Sequence, residues 1–317
     1  MASPGAGQTR AGPSDRTVRP PRTVRSARTV RPSRAAPARA ASGLRRVALR
    51  LGVPVGAVLV WQWAAWAGGS VFFPTPARIL AHAHTLWFSG PAGRLFLSDN
   101  AFAHLLPSLG RVLGGFCAAA LCGVLLGLVV GRSRTVYALC DPVLQFARAV
   151  PPPALVPVFV VLFDPGTRMQ LASIVFSAVW PVLVNTADGV RGVDPLRLEV
   201  AAVLRMPLAE RVLLLHLPAA LPRIFAGLRI SLSLSLILMV FSELLPGTSN
   251  GIGYQLVDAQ SRSDLLTVWA VIVLLGVAGQ VLNSGLLACE RLLLGGRREE
   301  RARPDPHRTR PQRGGVG

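Results

Sequence analysis

Six long apolar runs dominate the pattern of hydrophobic and polar positions, near 47–67, 109–130, 143–163, 169–190, 224–245 and 265–287. Each approaches the ~20 residues an α-helix needs to cross a bilayer core. The expected fold class is therefore an all-α membrane protein of about six transmembrane helices. Ser231, Ser233 and Ser235 alternate with Leu and imitate a strand. The length of that run and the lack of companion strands decide for helix. Gly123, Gly127 and Gly131 recur every four residues in the second run, placing small residues on one face where a neighbouring backbone approaches closely. Pro151-Pro152-Pro153 and Pro157 interrupt the third run. Proline breaks the helical ladder, which a membrane tolerates only where protein or a water-filled cavity satisfies the freed groups. Pro151 and Pro152 are thus pathway or gate candidates.

The polar stretches between the runs orient the chain. Twelve Arg and a single Asp lie in residues 1–50, and eight more Arg in 291–317. With the N-terminus inside, the cytoplasmic segments also hold Arg132, Arg134, Arg191, Arg197, Arg205, Arg211 and Arg223. The opposite side holds only Arg78, Arg94, Arg168 and Arg262. This bias predicts a multi-pass protein of the cell membrane with both termini cytoplasmic. The expected organisation is a disordered Arg/Pro-rich tail over 1–43, a first transmembrane helix and external loop over 44–103, a helical transmembrane domain over 104–290, and a basic tail over 291–317. Arg-Thr-Val-Arg recurs at 16–19, 22–25 and 28–31, too poor in large apolar groups to fold alone. Arg45-Arg46 and Ala65-Trp66-Ala67 also suit a signal peptide. Trp61, Trp63 and Trp66 fit an interfacial belt, so the first run is read as a retained helix.

Composition narrows the chemistry. Hydrophobic residues make up 51% of the 317, and charged residues only 15%. A net charge of +19 suits nucleic-acid binding in a soluble protein. Here it sits in tails and loops flanking apolar runs, so membrane orientation and lipid explain it and no nucleic-acid partner is expected. All 34 basic residues are Arg. With no lysine, no phosphate-cradling Gly loop and no nucleophile–base pair, the chain is not itself an ATPase or another enzyme. Cys117, Cys122, Cys140 and Cys289 lack ligand spacing, and His82 and His84 point apart on a helix. No metal or other cofactor is expected in this chain.

One polar stretch, between the fourth and fifth runs, has a pattern of its own. Glu199-Val200-Ala201-Ala202 is followed by Arg205-Met206-Pro207 and closes with His216-Leu217-Pro218. This resembles the coupling loop of ABC importer permeases: Glu-Ala-Ala, three residues, Gly, nine residues, Ile, one residue, Leu-Pro. Val200 replaces the first Ala, Arg205 stands in the Gly position, and Leu215 replaces Ile. The charge bias independently places this loop in the cytoplasm.

The likeness extends over roughly 70–296. Phe73-Pro74-Thr75-Pro76, residues 141–152, Asn185-Thr186-Ala187-Asp188-Gly189-Val190, Gly227-Leu228-Arg229, Ser242-Glu243-Leu244-Leu245 and Asn250-Gly251-Ile252-Gly253-Tyr254 resemble the branch serving nitrate, aliphatic sulfonates, taurine and thiamine-precursor pyrimidines. The resemblance implies the type I importer fold and import of a small solute: aliphatic sulfonate, nitrate or taurine ahead of a pyrimidine. It implies a cytoplasmic ATPase dimer that binds ATP and Mg, a second permease subunit (expected as a homodimer), and an extracytoplasmic solute-binding protein. The coupling-loop residues would be Glu199, Ala201, Ala202, Arg205, Pro207, Leu217 and Pro218. Asn185, Ser231 and Glu243 join Pro151 and Pro152 as pathway candidates, with Glu243 expected to pair with Arg229. A stand-alone secondary transporter is the alternative class; it would carry paired ionisable groups in mid-membrane.

Overall fold

The computed structural model describes residues 36–245 and 247–302, with side chains from 52 to 294 apart from Pro246. Most of the expected N-terminal tail, residues 1–35, and the end of the C-terminal tail, 303–317, lie outside the described residues. The chain divides at Gly56 into two units. Helix α1, Ala36–Gly68, starts in the first; the second, from Ala57, holds α2 to α11.

No strand occurs among the described residues. Helix α2 (Pro76–Trp87) leads through a short loop to α3 (Leu106–Arg132), which a π-helical turn at Ala101–Leu105 extends backwards. Helices α4 (Arg134–Ala149) and α5 (Pro152–Phe163) follow, then α6 (Thr167–Arg191). Two short helices, α7 (Pro195–Val203) and α8 (Leu208–Arg211), precede α9 (Leu217–Glu243). A short α10 (Ile252–Ser261) and the long α11 (Leu265–Ala302) complete the chain.

Among the described residues, four continuous helices are long and apolar enough to cross a membrane: Ala101–Arg132, Thr167–Arg191, Leu208–Glu243 and Leu265–Leu294. The pair α4–α5 makes a possible fifth, bent by 91°. The break falls at Val150 and Pro151, where the expected third run carries its prolines. The first expected crossing lies in α1, part of which lacks described side chains.

Helices α3, α6 and α9 form the core, and glycine decides how closely they approach. Gly115, Gly123, Gly127 and Gly131 are buried along one face of α3. A Cβ on Gly127 would lie 2.5 Å from the Thr186 Cβ and 2.7 Å from the Leu183 carbonyl oxygen, both on α6. Gly227 of α9 meets the Pro181 carbonyl in the same way, and Gly189 of α6 meets Ala220 of α9. Close backbone contact of this kind supplies the dispersion that holds helices together where no hydrophobic drive acts between them.

At one end of the bundle, Ile79 and Trp87 of α2 pack with Ile252 of α10 and Ala270 and Val271 of α11. The indole Nε1–H of Trp87 donates to Gln255 Oε1 at 3.2 Å, so the fully buried ring keeps its polar atom satisfied. Asp264 opens α11: its carboxylate accepts from the Thr267 hydroxyl at 2.6 Å and the Thr267 amide at 3.1 Å. The hydroxyl bond chiefly holds the Asp264 carboxyl below the usual carboxylate range.

Replacing Gly127 with Val is expected to separate α3 from α6, destabilising the subunit by ~1–3 kcal/mol, the usual penalty for overpacking. A lowered unfolding temperature in detergent checks this. Gly110→Val, where a Cβ meets nothing within 4 Å, should change it little.

Candidate functional site

The stretch from Asp194 to Pro218 forms a compact two-helix element. Asp194 caps α7, its Oδ1 accepting the Leu196 amide at 3.0 Å, and Pro195 fits the first turn, where no amide partner is needed. The helix ends in a Schellman turn. The Met206 amide donates to the Ala201 carbonyl at 3.0 Å, and the Arg205 amide to the Ala202 carbonyl at 3.0 Å. Arg205 therefore occupies the left-handed position, with φ 50°. Glycine takes that conformation at no steric penalty, whereas an L-residue is strained by ~1–2 kcal/mol. Arg205 thus keeps the turn that its Gly slot demands, and Pro207 starts α8 directly after it.

The faces of α7 divide unexpectedly. Ala201 is 1% exposed. Its carbonyl also accepts from Arg211 Nη2 at 3.3 Å. Ala201 is thus part of the element's own packing. Glu199, Ala202 and Arg205 are exposed. Beside them runs an apolar ridge, Leu196, Val200, Val203 and Leu204, continued by Leu208. Val203 is 81% and Leu204 67% exposed. The helical spacing of Leu196, Val200, Val203 and Leu204 puts them on one stripe. Past Arg211 a π-helical turn, Val212–His216, joins α8 to α9 without a break, and Leu217 and Pro218 lie in the first turn of α9. The element is therefore rooted directly in a membrane-crossing helix.

At the far end of that helix stands a buried ionic cluster. Glu243 is 0% exposed. Arg111 Nη1 donates to Glu243 Oε1 at 2.6 Å, the Ser108 hydroxyl donates to the carboxylate at 2.8 Å, and the Gly253 amide donates to Oε2 at 2.9 Å. Ser108 Oγ accepts the Ile252 amide at 2.8 Å, and the Gly251 amide donates to His104 Nδ1 at 3.2 Å. Arg111 also bonds to the backbone carbonyl and side-chain oxygen of Asn250. The carboxylate thus lies at the N-terminus of α10, where free amides and the helix dipole favour negative charge.

Gly251, at φ 119°, allows this wrapping: a Cβ there would sit 2.4 Å from the Glu243 carboxyl carbon. The run from Asn250 to Gly253 is therefore the cradle of Glu243.

This arrangement corrects one expectation and relocates others. Glu243 pairs with Arg111, not with Arg229; Arg229 bonds to Glu290 of α11. A neutralised, enclosed Glu243 shows no free charge to a passing solute. Ser231 is fully buried and its hydroxyl donates to the Ala178 carbonyl at 2.7 Å, tying α9 to α6. Asn185 is half-buried, its amide bonded to the Pro181 carbonyl at 2.8 Å. Pro151 and Pro152 lie at the 91° bend, and Pro151 is exposed. Arg111, Ser108 and His104 were missed. The available signal was an arginine two residues into an apolar run, a functional marker by default.

A helical bundle with several apolar helices of membrane length, and a loop element rooted in one of them, has the architecture of a membrane-embedded protein. The family model for binding-protein-dependent transport system inner membrane components matches residues 119–291. An aliphatic sulfonates transport permease protein by description, SsuC of Bacillus subtilis, is 34% identical over 81% of this chain and 91% of its own length. The bicarbonate transport system permease protein CmpB of Synechococcus elongatus is 33% identical, covering 76% of this chain and 87% of its own. The taurine transport system permease protein TauC of Escherichia coli is 31% identical over 78% and 90% respectively. The chain belongs to this family of ABC importer permeases, with the type I importer fold.

Two outcomes follow from the geometry. Arg205→Gly should relieve the left-handed strain and raise stability by roughly 1 kcal/mol, read as a higher unfolding temperature in detergent, whereas Arg205→Ala should give no such gain. Arg111→Ala should strand a buried carboxylate and destabilise by ~3–5 kcal/mol, with Arg111→Met/Glu243→Leu recovering much of the loss. A double variant no more stable than Arg111→Ala would show that the pairing is not the source.

Proposed function

We propose that this chain is the permease subunit of an ATP-driven importer for a small solute bearing an oxyanion group. The observation that carries the coupling half is the exposed ridge Leu196–Val200–Val203–Leu204 beside Glu199. It is an apolar stripe on a polar loop, rooted without interruption in α9. A partner ATPase would cover that ridge, with Glu199, Ala202 and Arg205 at its rim and Pro207, Leu217 and Pro218 fixing its direction. ATP and Mg would be bound by that ATPase. The arginine bias favours a cytoplasmic position for the loop and both termini.

Relatives with names citing aliphatic sulfonates, bicarbonate, nitrate and taurine support the cargo class, since each of these solutes carries an oxyanion group. Aliphatic sulfonate, nitrate and taurine lead, with bicarbonate beside them on the name of the Synechococcus elongatus relative and a pyrimidine precursor as the alternative. Two permease copies, an ATPase dimer and a solute-binding protein would complete the assembly. The bend at Pro151 and Pro152 supports that region as part of the pathway.

Val203→Ser/Leu204→Ser should leave the unfolding temperature unchanged, because both side chains are already exposed, yet weaken ATPase co-purification and uptake. Glu199→Lys should uncouple ATP hydrolysis from uptake without blocking membrane insertion. The cargo test is ATP-dependent uptake by the reconstituted complex of nitrate, taurine, an alkanesulfonate, bicarbonate and hydroxymethylpyrimidine. Transport of the pyrimidine alone would overturn the oxyanion reading and leave the coupling reading standing.

A further inference from the structure

At the end of the bundle that carries α7, a cleft of about 750 Å³ opens between the last turns of α3 and α6 and the starts of α4, α7 and α9. Arg132, Arg134, Arg191 and Arg223 line it, with Asp188 as the one acid among the described residues there. Four guanidinium groups against one carboxylate leave an excess of three positive charges. Arg191 approaches Asp188 at 3.9 Å and lies over the Tyr137 ring, 3.9 Å from its centroid. The side chains of Arg132, Arg134 and Arg223 make no hydrogen bond or ion pair with any described residue.

Helix-end chemistry explains only half of this. Arg132 and Arg191 complement the C-terminal dipoles of α3 and α6. Arg134 is the first residue of α4, where a cation opposes the dipole. Arg223 lies in α9, beyond its first turn, and turns into the same cleft. Four like charges lining one cleft with a single carboxylate to offset them are a local conflict that an anion would resolve. Guanidinium groups bind phosphate oxygens in bidentate fashion.

The surroundings select the kind of anion. Val129, one turn before Arg132, is exposed, as are Leu139 and Val143 on α4. Val129 and Val143 belong to the apolar runs, so the helices that carry Arg132 and Arg134 also present surface suited to hydrocarbon. A molecule with an anionic phosphate head and acyl chains matches both parts, whereas a free ion uses only the first. Basic pockets between membrane helices recognise lipid head groups through this combination.

We propose that the cleft binds the phosphate of an anionic phospholipid, with Arg134 and Arg223 as its principal ligands and the acyl chains against α3 and α4. Because Pro195 and Leu198 of α7 also line the cleft, the bound head group touches the two-helix loop element itself.

The test uses the full chain in nanodiscs holding equal amounts of phosphatidylglycerol and phosphatidylcholine, with retained lipid counted by native mass spectrometry. The wild type should retain phosphatidylglycerol in preference to phosphatidylcholine. Arg134→Gln/Arg223→Gln should lower that retention roughly thirtyfold, as expected for two basic groups lost near an anionic surface. Its unfolding temperature in phosphatidylcholine alone should match the wild type. If that pair fails to fold, Arg134→Lys replaces it; keeping charge but losing the fork, it should give intermediate retention. Equal retention of the two lipids, or retention unchanged in the variants, would overturn the proposal. So would release of phosphatidylglycerol by millimolar inorganic phosphate, which would mark a site for soluble ions. Loss of ATPase co-purification with lipid retention intact would assign the cleft to the partner protein instead.

Discussion

A carboxylate with no access to water has to be met entirely by protein, and Glu243 sets that condition for one end of this molecule. Its partners come from two other parts of the chain, Ser108 and Arg111 from α3 and the Gly253 amide from α10, so the carboxylate ties both to its own helix α9. None can shift without exposing an unpaired charge in a poorly polar setting, so the register of these helices is tightly specified. Replacing such a cluster by hydrocarbon is often neutral for stability, which makes its value one of geometry rather than strength.

The remaining architecture satisfies a second demand, close contact without a hydrophobic drive. Helix α6 is central to it, with the buried glycines of α3 against one side and Gly227 of α9 against another. Half of its apolar window is buried, against 17% for α11. Helix α11 thus leaves most of its surface to lipid or to another subunit, while α6 is used up within the chain. The Ser231 hydroxyl reinforces the same contacts by bonding across to α6, whereas Ser173, Ser177 and Thr186 return theirs to their own helix.

Much of this was legible in the sequence because it depends on local pattern. Apolar runs of membrane length, a four-residue glycine spacing and a proline cluster each act on the helix that contains them. The helices, the close-approach face of α3 and the break before Pro152 therefore followed from the residues alone, while the identity of α6 as the neighbour on that face did not. Pairings between distant segments did not. Arg111 and Glu243 stand 132 positions apart. Nothing in the spacing separates that pair from Glu243 with Arg229, which is nearer in sequence and sits in the same helix. The two faces of α7 were hidden for a related reason: Ala201 and Ala202 look alike as letters, and only the return of Met206 and Arg211 onto Ala201 distinguishes inside from outside. Arg205 shows the opposite case, a departure from pattern that the backbone absorbed without changing shape.

The uninterrupted helix from Leu208 to Glu243 makes the two ends of the bundle parts of a single object. At 36 residues it is about 50 Å long, well beyond the ~30 Å of bilayer hydrocarbon. Its near end carries the loop element and its far end the Arg111-bound carboxylate. Equilibrium then imposes a symmetry between them. If a contact made at the loop shifts the arrangement around α10, whatever binds beside α10 must shift affinity at the loop by the same factor. Neither face of the membrane can act only as sender or only as receiver.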